Sequence, residues 1–114
     1  TPSALMFIAP AAPQLVPELQ QSPISWPQVP LVLSESGLAR TRVDRWFRQQ
    51  RFSQHVYAQV SGHEAIVSMV ALGCGVGVVL RRLAAWVRHP VRRSLSGGPH
   101  TGGLYYMRFR GMDG

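Results

Sequence analysis

The chain has 114 residues, a formal charge of +7 and a single cysteine. That length holds one small domain, and one cysteine excludes an intrachain disulfide or a multi-cysteine metal site. All twelve basic residues are arginine, but residues 1–80 set five of them against four carboxylates while residues 81–114 set seven against Asp113 alone, so the charge surplus gives the folded part no claim on nucleic acid.

The chain opens TPSALMFIAP, with neither an initiating Met nor a basic signal segment, and reads as a fragment without a secretory leader. Leu5 to Ala9 is a compact apolar strand ended by Pro10. Pro10, Pro13, Pro17, Pro23, Pro27 and Pro30 then punctuate the chain. Each removes a backbone donor and restricts the residue before it, so residues 12–29 form an irregular connection. Trp26 is expected to lean on a neighbouring domain.

Leu31-Val32-Leu33 forms a second strand. A helix follows from Leu38 to Gln50, with Ser36 as its N-cap and Ala39, Val43, Trp46, Phe47 and Gln50 on one face. Asp44 has Arg40 and Arg48 four residues to either side, the spacing of helical ion pairs. Trp46-Phe47-Arg48-Gln49 superficially matches a DNA-recognition helix, but Gln49 stands where such helices need asparagine. Trp46 and Phe47 are therefore core residues. Val56, Ala58 and Val60 alternate as one face of a strand. Ser61 and Glu64 have the spacing of a capping box. Ala65, Ile66, Met69, Val70 and Leu72 form an apolar helical face, ended at Gly73. Val76 to Leu80 is a buried-type strand. The apolar run from Ala65 to Leu80 is too short and too rich in glycine to span a membrane.

Beyond Leu80 the texture changes. Arg81 to Arg88 offers one or two helical turns, and no period is visible after Pro90. Residues 81–114 read as an Arg/Gly-rich tail, disordered or translated out of frame from a GC-rich gene.

Residues 30–80 thus read β-α-β-α-β, which implies an α/β fold with a mostly parallel sheet. In such sheets ligands collect where strands end and helices begin. Two stretches qualify: Ser34, Glu35, Ser36 and Gly37 before the first helix, and Ser61, Gly62, His63 and Glu64 before the second. Free N–H groups and the positive end of a helix suit a carboxylate or phosphate. If the two strands are neighbours, both loops lie on one edge and grip one small anion together. Each residue also has a structural reading. Ser34 and Ser36 are turn formers or ligand donors, Glu64 a cap, and His63 a ligand contact or an exposed polar residue. Cys74 is a packed thiol. Gly73, Gly75 and Gly77 follow a helix and lead into a strand, the reverse of a dinucleotide loop. The four histidines show no metal-ligand spacing. No nucleophile–base pair is visible, so the expectation is a non-enzyme with no catalytic residues, no metal and no cofactor.

The runs PLVLSESGLARTRVDRWFRQQ and VYAQVSGHEAIVSMVALGCGVGVVL resemble the effector-binding domain of LysR-type transcriptional regulators, within them the activators of isoleucine–valine biosynthesis. GHEAIVSMVALGCGV is the most specific part, and LMFIAP resembles the strand leading out of the first effector subdomain. The resemblance covers about residues 4–80. It implies a periplasmic-binding-protein-like effector domain, mostly its second subdomain. Residues 1–11 would be a hinge strand, 12–29 the Pro-rich connection and 30–80 the second subdomain. It implies the two loops as half of a pocket for acetolactate or acetohydroxybutyrate. The parent would be a cytoplasmic homo-oligomer that binds operator DNA through a winged helix-turn-helix not found here, with no membrane role. Leu80 stands where the family has proline, and the family's continuation is not recognisable after it. Two other classes remain open: a small basic protein binding nucleic acid or anionic surfaces through the Arg-rich tail, and a fragment of a solute-binding protein.

Overall fold

A computed structural model of the chain describes residues 5–81, 91–92 and 104–107. The elements run β1 (Leu5–Pro10), β2 (Pro30–Ser34), α1 (Leu38–Gln50), β3 (His55–Val60), α2 (His63–Ala71), β4 (Val76–Leu80), β5 (Val91–Arg92) and β6 (Leu104–Met107). They form one six-stranded sheet in the order β3-β2-β4-β1-β6-β5. Strand β2 is parallel to both β3 and β4, and β1 runs antiparallel to β4 and β6. The mostly parallel β-α-β-α-β unit expected over residues 30–80 is present.

The step from β2 to β3 moves one way along the sheet, and the step from β3 to β4 moves the other way across β2. Parallel crossovers are almost always of one hand, so steps in opposite directions put their helices on opposite faces. The packing agrees. Phe7, Leu31, Leu33, Val76 and Val78 face Val43, Trp46 and Phe47 of α1. Ile8, Val32 and Val79 face Ile66, Val67 and Val70 of α2. With both faces covered, the inner strands are apolar at nearly every position, which is why LMFIA, LVL and VGVVL are continuous runs.

The α1 face is closed by aromatic rings. Phe7 lies 5.2 Å from Trp26 and 5.3 Å from Trp46, both edge-to-face, and Trp46 meets Phe47 at 5.1 Å in the same manner. Such pairs add about 0.5–1.5 kcal/mol each beyond their buried area. Trp26 therefore packs within its own domain, at 3% exposure, and not on a neighbouring one. The Pro-rich connection brings it there through short 3₁₀ turns at Pro13–Leu15, Pro17–Gln20 and Trp26–Gln28. Proline fixes φ at a value that starts a helical turn.

Several expectations are corrected. Leu72 is 78% exposed and ends α2, while Val67 takes its place in the core. Gly73 does close α2 as expected, at φ 89°, in a Schellman motif with Gly73 N–H on Val70 O and Cys74 N–H on Met69 O. Val56, Ala58 and Val60 do not share one face. The pairing of β3 with β2 skips Tyr57, so Val56 packs toward α1 and Ala58 and Val60 toward α2. A bulge of this kind reverses which side chains point inward. Asp44 pairs with Arg40 at 3.1 Å and not with Arg48. Two strands form beyond Pro90, where the sequence shows no period. Leu104 of β6 is fully buried beside Ile8. The aromatic-rich segment LYYM suits a strand, but glycines and arginines on either side mask its pattern. The helical turns expected over Arg81 to Arg88 lie, apart from Arg81, outside the described residues. No helix among the described residues is long and apolar enough to cross a membrane.

Two of the three glycines of GCGVG, Gly75 and Gly77, have packing roles. A Cβ on Gly75 would meet Pro30 O at 2.5 Å, and one on Gly77 would meet Ile66 Cγ2 at 2.5 Å and Val70 Cγ2 at 2.9 Å. Gly77 lets α2 lie directly on β4. Gly77→Ala is expected to lower stability by about 1–3 kcal/mol through overpacking, measurable as a lowered urea midpoint with unchanged slope. At the end of α1, Arg51 is left-handed at φ 61°, the one described non-glycine residue so placed. Arg51→Gly is expected to raise stability by about 0.5–1 kcal/mol by relieving that strain, read in the same denaturation series.

Candidate ligand-binding edge

No polar or charged side chain is buried among the described residues, so polar chemistry lies at the surface. The two loops singled out in the sequence meet there. Ser34, the last residue of β2, is directly paired with Val60, the last residue of β3. The ladder continues one step further, with Glu35 N–H donating to Val60 O at 3.0 Å. Ser34 to Gly37 and Ser61 to Glu64 therefore leave the sheet side by side, each leading into a helix. Ser34 and His63 are half-buried, and Glu35, Ser36, Gly37, Ser61, Gly62 and Glu64 are exposed.

The helix starts differ from the sequence expectation. The N-cap of α1 is Gly37, not Ser36, and the N-cap of α2 is Gly62, not Ser61. Neither helix has a side-chain cap, so the Ser61–Glu64 capping box is not made. The reason is conformational. Gly37 has φ 99°, ψ −176° and Gly62 has φ 89°, ψ 146°, a region essentially closed to residues with a Cβ. Each chain turns into its helix through a glycine, and the serine before it stands too far back to cap. The first-turn N–H groups of both helices lack acceptors inside the helix, and no cap side chain takes them. Glu64 sits in the first turn of α2, where a carboxylate is favoured by the positive end of the helix. Together the loops carry N–H donors and the three hydroxyls of Ser34, Ser36 and Ser61 on one strip of the sheet edge. Glu35 and Glu64 supply acceptors beside them.

A network missed in the sequence braces this edge. Arg40 Nη1 donates to Ser34 O at 3.1 Å and to Gln59 Oε1, and Arg40 Nε donates to Asp44 Oδ1 at 3.1 Å. Gln54 Nε2 holds the same Asp44 oxygen at 2.9 Å. In the sequence Arg40 reads only as a helical partner of Asp44. The available signal was its position: a cation in the first turn of a helix opposes the macrodipole. Arg81, exposed, follows β4 on the same edge. Among the described residues, no group of His, Cys, Asp and Glu is arranged to hold a metal.

Residues 4–112 match the LysR substrate binding domain family. The chain belongs to that family. It is 41% identical over 91 residues to the HTH-type transcriptional activator IlvY of Salmonella typhimurium and, to the same extent, to the regulator IlvY of Escherichia coli, covering 78% of this chain and 31% of each relative. IlvY of Haemophilus influenzae is 40% identical over 78 residues. The chain thus spans about a third of the length of these relatives. Among solved structures, the cofactor-binding domain of the Cbl transcriptional regulator superposes with TM-score 0.64 at 21% identity, covering 96% of this chain and 43% of that one. The effector-binding domain of QuiR in complex with shikimate superposes with TM-score 0.56 at 14% identity, covering 91% of this chain and 50% of that one. The fold is that of LysR effector-binding domains, which are periplasmic-binding-protein-like, and the chain spans about half of such a domain and is related to IlvY. The family match runs through residues 81–112, the region whose texture departs from the pattern in the sequence alone.

Serine is among the best N-cap residues by propensity, yet Gly37→Ser and Gly62→Ser are each expected to lower stability by about 1–3 kcal/mol. No atom lies within 4 Å of a Cβ at either position, so backbone strain alone carries the loss. Denaturant midpoints of the two variants check this.

Proposed function

We propose that this chain is the effector-sensing part of a LysR-type activator of branched-chain amino-acid biosynthesis, and that Ser34 to Gly37 and Ser61 to Glu64 take the carboxylate of acetolactate or acetohydroxybutyrate. The observation that carries the reading is the pairing of Ser34 with Val60, from which the two loops that lead into uncapped helix starts leave the sheet side by side. Uncapped helix N-termini favour a small anion over a neutral ligand. The hydroxyl of a 2-hydroxy-2-acyl carboxylate finds acceptors in Glu35 and Glu64, and its carbonyl finds donors in Ser36, Ser61 or His63. The relation to IlvY supports the choice of regulator. The shikimate complex of QuiR supports the class of ligand, since shikimate is itself a small hydroxylated carboxylate.

In the whole protein the ligand would lie between this subdomain and another, and closure on it would shift the arrangement of a cytoplasmic homo-oligomer bound to operator DNA through a winged helix-turn-helix. The protein would sense and not transform its ligand.

Calorimetric titration of the full-length regulator with 2-acetolactate tests the reading. Saturable binding is expected, with none for acetoin, which lacks the carboxylate. Ser36→Asp and Ser61→Asp are expected to hold or slightly raise stability, because a carboxylate beside a helix start is favourable. The same charge competes with the ligand, so affinity should fall at least tenfold. Equal binding of acetoin, or undiminished affinity in both Asp variants, would overturn the proposal.

A further inference from the structure

We infer that Arg40 is the positioning residue of this edge: its guanidinium fixes the register and direction of the Ser34–Gly37 loop against β3, without touching the ligand. The inference rests on the reading of the two loops as the effector site. Three observations carry it. The first is the fork itself. One side chain on α1 reaches the last carbonyl of β2, at Ser34 O, and a side chain near the end of β3, Gln59. These are the two strands whose ends open into the two loops. The second is the anchor. Asp44 accepts from Arg40 Nε and is itself held by Gln54, which lies on the link from α1 into β3. The guanidinium is thus gripped from the helix and from both strands, and its partner Asp44 is braced from the link. Its planar array of donors satisfies several acceptors at fixed angles, which an ammonium cannot do.

The third observation is electrostatic. Arg40 is the third residue of α1, where the helix macrodipole disfavours a positive charge. Helix stability alone would select a different residue there. The carbonyl of Ser34 is bonded to Arg40 on one side of its peptide unit, and the N–H of Glu35 on the other side is bonded to Val60 O. That peptide plane is fixed at both ends. The chain from Glu35 to the first N–H groups of α1 starts from it, so its orientation sets where those donors point. A small anion gripped by two loops needs their donors aligned to within about half an ångström.

The test uses the full-length regulator, 2-acetolactate as ligand, and conditions where circular dichroism finds each variant more than 95% folded. Arg40→Gln is expected to weaken binding about tenfold or more with the stoichiometry unchanged. Arg40→Lys restores the charge but not the fork, and is expected to stay at least threefold weaker than wild type. A merely structural role would leave the affinity of the folded protein untouched, so affinity within twofold of wild type in Arg40→Gln overturns the inference. Full recovery in Arg40→Lys also overturns it, because charge alone would then suffice. Gln59→Leu cuts one arm of the fork at an exposed position. If Arg40→Gln does not fold, at least threefold weakening in Gln59→Leu supports the inference and unchanged affinity overturns it. Loss of binding in Ser36→Asp with none in Arg40→Gln leaves the effector site standing and removes only the role of Arg40. Absence of binding by the wild type removes both.

Discussion

Everything in this domain depends on β2 lying between two parallel neighbours. A strand hydrogen-bonded on both sides by parallel partners needs a crossover for each partner, and the crossovers are helices. Because β3 and β4 lie on opposite sides of β2, the helices fall on opposite faces and the strand is buried above and below. Leu31, Val32 and Leu33 are each at most 1% exposed. The same arrangement aligns the carboxyl ends of β2 and β3, and so forces two loops and two helix starts onto one edge. The burial of β2 and the placing of the two loops are thus consequences of one pairing.

The two faces are sealed by different means. Toward α1, large rings from β1, the Pro-rich connection and α1 interlock around Phe7. Toward α2, closeness takes the place of bulk. Gly77 removes a side chain from β4 so that Ile66 and Val70 can descend onto the sheet. An α2 held at that height delivers its N-terminus to the sheet rim close beside β3. The apolar packing therefore sets the geometry of the polar edge, although no polar group takes part in it.

At the rim, glycine and arginine divide the work. Gly37 and Gly62 turn the chain sharply into each helix and leave the first N–H groups uncapped. Arg40 ties the ends of β2 and β3 to α1. Donors left uncapped and a backbone held by Arg40 thus come together at this edge.

The sequence by itself determined the order of the strands and α-helices from Leu5 to Leu80 and both loops before the helices, because helix and strand periods and glycine breaks are local signals. It also determined that Trp46 and Phe47 are core residues, since a helical face shows in the spacing of its own residues. Only the tertiary structure decided that β2 and β3 are neighbours, that Tyr57 is a bulge and that Leu104 reaches the core beside Ile8. Each depends on pairing between distant segments, which no window of sequence contains. The cap residues were misread for a related reason. S-x-x-E and the Ser36–Gly37 pair satisfy local capping preferences, but the angle at which each strand must enter its helix is fixed by the sheet, and glycine alone turns it. The fork of Arg40 was hidden in the same way: its acceptors Ser34 O and Gln59 come together only once β2 and β3 are side by side.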